Sequence, residues 1–136
     1  MTRREKLAWV VQIVLAPLFL FAGVMKLVMD GEALTAQSGM SVAFLRFIGV
    51  CETLGGLGLI LPWALRIRRE LTPIAAGCLV IIMCGAVVTT AATVSLLAAL
   101  FPLLTGVLLA VLAYVRWQQL HETKASGFRP QASHLR

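Results

Sequence analysis

Long apolar runs alternate with short polar segments along this chain. Leu7 to Met25 contains no charged residue, and Val42 to Trp63 contains only two. Each run is long enough for a transmembrane helix, which needs about 20 apolar residues. Residues 71–115 carry no charge, and as one helix they would extend about 67 Å, roughly twice the thickness of a bilayer. This stretch must therefore fold back on itself, and the polar cluster at residues 89–95 predicts the turn.

The pattern predicts an all-α fold, an integral membrane four-helix bundle formed by residues 1–116. The expected helices cover residues 7–28, 42–63, 72–92 and 96–116, and residues 117–136 are expected to form a polar cytoplasmic tail. Thr72, which is followed by a proline, is expected to cap the third helix. The composition agrees, because 60% of the 136 residues are hydrophobic and only 13% are charged. A water-soluble domain of this size needs far less apolar surface.

Basic residues lie mostly on one side of the predicted bundle. With the N-terminus in the cytoplasm, ten of the twelve lysines and arginines fall in cytoplasmic segments, and only Lys26 and Arg46 fall on the opposite side. This bias matches the positive-inside rule and predicts that both termini are cytoplasmic. Topology and attraction to anionic lipid headgroups then explain the net charge of +6. Nucleic-acid binding is not expected, because the basic residues are spread over short segments without interleaved aromatic residues.

Glu52 is the most informative polar residue, because it lies near the middle of the second apolar run. A carboxylate at that depth is costly and usually faces a cavity, a partner or a functional group. Gly49, Glu52 and Gly56 fall on one face of a helix, where glycines let another backbone approach closely. The residues leave two interpretations open: an acid beside a small cavity, or a polar group that only joins helices by hydrogen bonds.

Two basic residues are candidate neighbours of this acid. Lys26, at the end of the first helix, could pair with Glu52 directly or through water. Extension of its long side chain outward to the headgroups is slightly favoured. Arg46 lies six residues before Glu52 on a different helical face. It could pair with Asp30 or Glu32, or bind a lipid phosphate.

Several methionines and phenylalanines are predicted to cluster in the outer half of the bundle, away from the cytoplasmic side: Met25, Met29, Met40, Met83, Phe19, Phe21, Phe44 and Phe47. They could line an apolar ligand pocket, and ordinary membrane packing explains them equally well. His121 and His134 lie in the predicted tail without cysteines nearby, so no metal site is predicted. No Ser/His/Asp set, phosphate loop or dinucleotide fingerprint is present, so no catalytic residue and no cofactor is assigned.

Five segments of the chain resemble one family of membrane proteins. Phe21–Leu27 carries an aromatic residue, a glycine and Lys-Leu, which is similar to the first-helix signature of the DoxX-like proteins. Arg46–Glu52 followed by Gly55–Pro62 resembles their second-helix block, the most specific part of the match. Leu71–Ala76 and Ala113–Trp117 also fit. The resemblance implies a four-helix protein of the bacterial inner membrane.

The third helix departs from the family pattern. Many relatives end this helix with a histidine that follows a Gly-Ala pair. Here Gly85–Val88 is followed by Thr89 and Thr90. A role of that histidine in proton transfer or metal binding therefore does not carry over to this chain.

The resemblance also bears on function. The family takes its name from a subunit associated with thiosulfate:quinone oxidoreduction, and other members are linked to oxidative-stress complexes. The first hypothesis is therefore a non-catalytic or weakly catalytic membrane module that binds a small apolar or quinone-like ligand or a redox partner, as an accessory subunit of a quinone-linked oxidoreductase. The hypothesised ligand site consists of Lys26, Arg46, Gly49, Glu52 and Gly56, with Gly23 beside them. Two alternatives remain: a proton-coupled transporter of small cations that uses Glu52, and a structural assembly subunit whose glycine face meets another chain.

Overall fold

The protein folds into α-helices throughout the residues that its computed structural model describes, 2–127. The helices are α1 (Arg3–Val28), α2 (Gly31–Ser38), α3 (Val42–Ala64), α4 (Leu71–Thr93) and α5 (Leu96–Gly127). α1, α3, α4 and α5 are long and apolar enough to cross a membrane. The predicted all-α fold with four spanning helices is confirmed. The structure by itself does not orient the termini, so their cytoplasmic placement stays a prediction.

Two helical segments go beyond the expected helices. α2 forms within the connection between the first two spanning helices, and its C-cap is Gly39, which has a left-handed φ of 66°. α5 continues past Arg116 to Gly127, within the segment expected to be a polar tail. Polar residues without proline do not stop a helix, and a 2.8 Å ion pair between Lys124 and Glu70 ties this extension to the α3–α4 turn. The remainder of the predicted tail, with His134, lies outside the described residues.

The spanning helices pack as two pairs, α1 with α3 and α4 with α5, and the contact between α3 and α4 joins the pairs. Leu59, Leu79 and Leu109 are completely buried where the pairs meet. Many other large apolar side chains lie on the outer surface, as expected for helices that face lipid. The N-terminus of α1, the α3–α4 turn and the last turns of α5 share one end, called the basic end here. α2 and the α4–α5 turn lie at the opposite end, the α2 end.

Glycines allow α1 and α3 to approach closely. A Cβ added to Gly23 of α1 would lie 2.7 Å from the Gly49 carbonyl oxygen and 2.8 Å from the Thr53 backbone nitrogen of α3. A Cβ at Gly56 would lie 3.0 Å from the Ala16 carbonyl oxygen of α1. Helices in a membrane associate largely through such tight van der Waals contact. The glycine face of α3 is therefore packed against α1 within the chain.

Pro62 explains a second contact between helices. Because proline has no N–H, the carbonyl of Gly58, four residues earlier, has no partner within α3. The hydroxyl of Thr72 on α4 donates a 3.1 Å hydrogen bond to this carbonyl. α4 begins at Leu71 with Glu70 as its N-cap. The prediction that Thr72 caps the helix is therefore wrong, and the buried hydroxyl joins α4 to α3 instead.

We expect Thr72→Val to lower the free energy of unfolding by about 1–3 kcal/mol, because the isosteric change leaves the Gly58 carbonyl buried without a donor. Denaturation in detergent micelles, followed by circular dichroism, measures the effect. Thr93→Val is the matched control, since the Thr93 hydroxyl bonds the carbonyl of Thr89 within its own helix at an exposed position. Equal stability of the two variants would contradict the role given to Thr72.

Candidate functional site

Lys26 and Glu52 form an ion pair between α1 and α3, with 2.7 Å between Nζ and Oε2. Side chains on a helix tilt toward its N-terminus. Lys26 on α1 therefore leans away from the α2 end, and Glu52 on the antiparallel α3 leans toward it. The two residues meet inside the bundle although their backbones lie at different depths. The prediction that Lys26 extends outward to the headgroups is wrong.

The carboxylate of this pair is buried, and the ammonium is partly buried. The side chain of Glu52 is 4% exposed and that of Lys26 is 29% exposed. Two opposite charges at this distance cancel, so the site is close to neutral as a whole. One Glu52 oxygen, Oε2, accepts the hydrogen bond from Lys26. Oε1 and the other ammonium protons of Lys26 are the groups available to a further polar partner.

A cavity of about 540 Å³ adjoins this pair on the side toward the α2 end. The lining residues come from α1, the end of α2 and the loop after it, α3 and α4: Lys26, Ser38, Met40, Phe44, Leu45, Phe47, Ile48, Glu52, Ile81, Ile82, Gly85, Ala86 and Thr89. Apart from the ion pair and two hydroxyls, the walls are apolar. Phe47 and Ile81 are also exposed on the outer surface. The cavity therefore opens sideways between α3 and α4, where the hydrocarbon of a bilayer would lie.

A comparison with protein families places the chain among its relatives. The model of the DoxX-like family matches residues 10–114, which is most of the chain and includes every residue that lines the cavity. The chain belongs to the DoxX-like family. No curated protein and no solved structure matches it.

The residues of the hypothesised ligand site separate into three places in this DoxX-like protein. Lys26 and Glu52 lie at the cavity. Gly49 and Gly56 face α1 and bring the two helices together, and a Cβ at Gly49 would lie 3.0 Å from the Cβ of Lys26. Gly49 thus acts on the pair through helix spacing. Gly56 lies one turn beyond Glu52 along α3 and does not line the cavity.

Arg46 holds the end of α1. Its guanidinium donates hydrogen bonds to the carbonyls of Leu27 and Met29. These carbonyls are among those that a helix C-terminus leaves without an intrahelical partner. Among the described residues Arg46 forms no ion pair with Asp30 or Glu32. Arg46 instead fixes the last turn of α1, on which Lys26 is carried.

Only part of the predicted methionine and phenylalanine cluster lines the cavity. Met40, Phe44 and Phe47 do so, whereas the other members of the cluster lie elsewhere. The wall that α4 contributes was not predicted from the sequence. Gly85, Ala86 and Thr89 supply much of it. A sequence signal existed, because small residues at positions 85, 86 and 89 fall on one face of a helix.

A second buried polar group near the basic end was also missed. Arg116 of α5 is fully buried, and its Nε donates a 2.8 Å hydrogen bond to Oε1 of Gln12 on α1. The Gln12 amide in turn donates to the carbonyl of Leu59 on α3. Nη1 of Arg116 donates a 2.9 Å hydrogen bond to Gln119. Gln12 is the only strongly polar residue in the first apolar run, and that was the available signal.

Aromatic rings complete the surroundings of Arg116. Its guanidinium carbon lies 3.8 Å from the centre of the Trp63 ring and 5.5 Å from that of Trp9. Arg69 also contacts Trp63, at 4.9 Å. Such cation–π contacts stabilise a cation that has been removed from water. Trp63 therefore covers a buried charge that connects three helices.

Proposed function

We propose that this DoxX-like protein binds a small uncharged molecule, apolar over most of its surface and quinone-like at its polar end, in the cavity beside Lys26 and Glu52. In this role it serves as an accessory membrane subunit of a quinone-linked oxidoreductase. The observation that supports this proposal most strongly is an ion pair with a buried carboxylate at one end of an apolar cavity that opens toward lipid. Ligand sites are typically apolar pockets with a few polar groups that fix orientation.

The charges of the pair favour an uncharged ligand. Lys26 and Glu52 compensate each other, so an additional ionic group in the cavity would remain uncompensated in an apolar environment, at a high cost. A carbonyl oxygen of the ligand can accept a hydrogen bond from Lys26, and a hydroxyl can donate one to Glu52. A molecule with such groups on a flat apolar body matches both the pair and the walls.

The distribution of charge supports an orientation for this site. In the described residues, Arg3, Arg4, Lys6, Arg66, Arg68, Arg69, Arg116 and Lys124 lie toward the basic end, against Lys26 and Arg46 toward the α2 end. The positive-inside rule favours the basic end in the cytoplasm of a bacterial cell. The cavity would then open into the outer leaflet of the inner membrane.

Two features weigh against the alternative functions. Leu59, Leu79 and Leu109 are fully buried and fill the core between the Glu52 site and the Arg116 group. A closed apolar core supports binding at one site over a proton-coupled pathway through the bundle. The assembly hypothesis requires the glycine face of α3 to contact another chain. That face packs on α1, so it is not available for such a contact.

The test measures binding of a short-chain quinone to the purified protein in detergent, by calorimetry or by equilibrium dialysis. We expect saturable binding to the wild type. Glu52→Gln is expected to weaken it about tenfold, since a charge-assisted hydrogen bond is worth roughly 1.5–3 kcal/mol and the amide keeps part of it. Ala86→Phe is expected to abolish binding, because its ring would occupy the cavity.

Ala110→Phe is the matched control, because Ala110 lies beside a different groove, between α4 and α5. It should bind the quinone as the wild type does. If Ala86→Phe and Ala110→Phe bind with the same affinity as the wild type, the cavity is not the ligand site. Proton-driven uptake of a small cation into liposomes, lost in Glu52→Gln, would favour the transporter instead.

A further inference from the structure

Two neighbouring cavities form a single groove between α1 and α5 at the basic end. The first has a volume of about 420 Å³ and is lined by Thr2, Arg3, Arg4, Glu5, Val115, Gln118, Gln119 and Glu122. The second has a volume of about 110 Å³ and is lined by Arg4, Leu7, Ala8, Val11, Val111, Leu112 and Val115. Arg4 and Val115 line both cavities, so the polar compartment leads directly into the apolar one.

The polar compartment offers groups of both charges. Arg3 and Arg4 are exposed guanidinium donors, and arginine binds phosphate in a planar, two-pronged geometry. Glu5 and Glu122 supply two carboxylates, so the charges that line the compartment cancel. One Glu5 oxygen already accepts the backbone N–H of Thr2, at 2.9 Å. Glu122 is exposed and is therefore the better acceptor for a cation.

The apolar compartment, called the furrow here, continues the groove along the line where α1 and α5 meet. Its walls, apart from Arg4, are aliphatic side chains that lie one and two turns deeper, such as Val11 and Val111. α1 and α5 touch over a smaller area than the other neighbouring spanning helices. A furrow of this kind on the outer surface of a membrane protein accommodates an acyl chain.

We propose that this groove is a specific binding site for an aminophospholipid. The phosphate is held by Arg3 and Arg4, the primary ammonium by Glu122, and an acyl chain lies in the furrow beside Val111. The neutral lining distinguishes this site from the general attraction of a basic surface for anionic lipid, which depends only on net positive charge. The site lies at the opposite end of the bundle from the Glu52 cavity and does not depend on the function proposed above.

The test is native mass spectrometry of the protein, purified in detergent and offered an equal mixture of phosphatidylethanolamine, phosphatidylcholine and phosphatidylglycerol with identical acyl chains. We expect the retained lipid to be enriched several-fold in phosphatidylethanolamine. Glu122→Gln should reduce its retention to that of phosphatidylcholine, whose quaternary ammonium donates no hydrogen bond. Arg4→Gln should lower retention of all three lipids, and Val111→Trp should do the same by filling the furrow.

Arg66→Gln is the matched control, because Arg66 is exposed at the same end but lies outside the groove. It should leave the selectivity unchanged. Equal retention of the three lipids by the wild type would overturn the proposal. So would a preference for phosphatidylglycerol that Arg66→Gln and Arg4→Gln reduce alike, since this pattern reports surface charge alone.

Discussion

Lys26→Met should lower the free energy of unfolding by about 3–5 kcal/mol, the usual cost of removing one partner from a buried ion pair. Glu52 would remain within the bundle, where its side chain is 4% exposed, without a compensating cation. A buried carboxylate without a charge of opposite sign destabilises the folded protein. Denaturation in detergent micelles measures the change.

The double variant Lys26→Met/Glu52→Met gives this prediction its control. A buried pair that is replaced as a whole by apolar residues of similar size often costs little or even stabilises. The double variant should therefore recover most of the stability that Lys26→Met loses. Lys124→Met, which breaks the exposed pair with Glu70, should have a far smaller effect, because exposed ion pairs contribute little. A double variant as unstable as Lys26→Met would show that the loss comes from packing.

Gly23→Ala should lower the free energy of unfolding by about 3 kcal/mol, the upper part of the range for overpacking a close contact. The new methyl group would meet the backbone of α3 at Gly49 and Thr53, and backbone cannot move aside as a flexible side chain can. α1 and α3 would have to separate. The separation would also lengthen the distance between Lys26 and Glu52. Ligand binding in the cavity should therefore become weaker as well.

Gly77→Ala is the matched control for this prediction. Gly77 also lies within a spanning helix, but no atom of a neighbouring helix lies within 4 Å of the position that its Cβ would take. Alanine has the higher helix propensity, so this variant should be as stable as the wild type or slightly more stable. Thermal unfolding of both variants and the wild type in one detergent decides the matter. If the two substitutions have equal effects, glycine flexibility matters here and close helix contact does not.

Glu52 shows which features of the site can be predicted from the sequence. Its depth in an apolar run predicts a buried acid that must have a partner, and the ion pair with Lys26 supplies one. Arg46, equally conspicuous in the sequence, lies away from the cavity because it satisfies carbonyls at the end of α1. The sequence identifies a residue whose charge needs a partner. The placement of the helices decides which groups lie close enough to be that partner.

The α4 wall of the cavity and the Arg116 group were missed for a related reason. Gly85, Ala86 and Thr89 carry no charge and look like ordinary helix residues. Arg116 looks like a membrane-surface cation, but its side chain tilts toward the N-terminus of α5 and so reaches into the bundle to Gln12. Each of these roles depends on a contact with a residue far away in the chain.

The sequence by itself determined that this protein is helical, that four of its helices can cross a membrane and that its charges lie mostly at one end. Those properties depend on the length of each apolar run and on the positions of the charged residues, both of which can be read directly from the sequence. Only the tertiary structure decided that Lys26 meets Glu52, that a cavity opens beside them and that Arg116 is buried against Gln12. Such contacts depend on the depth, tilt and spacing of antiparallel helices, and glycines such as Gly23 set that spacing to within a methyl group.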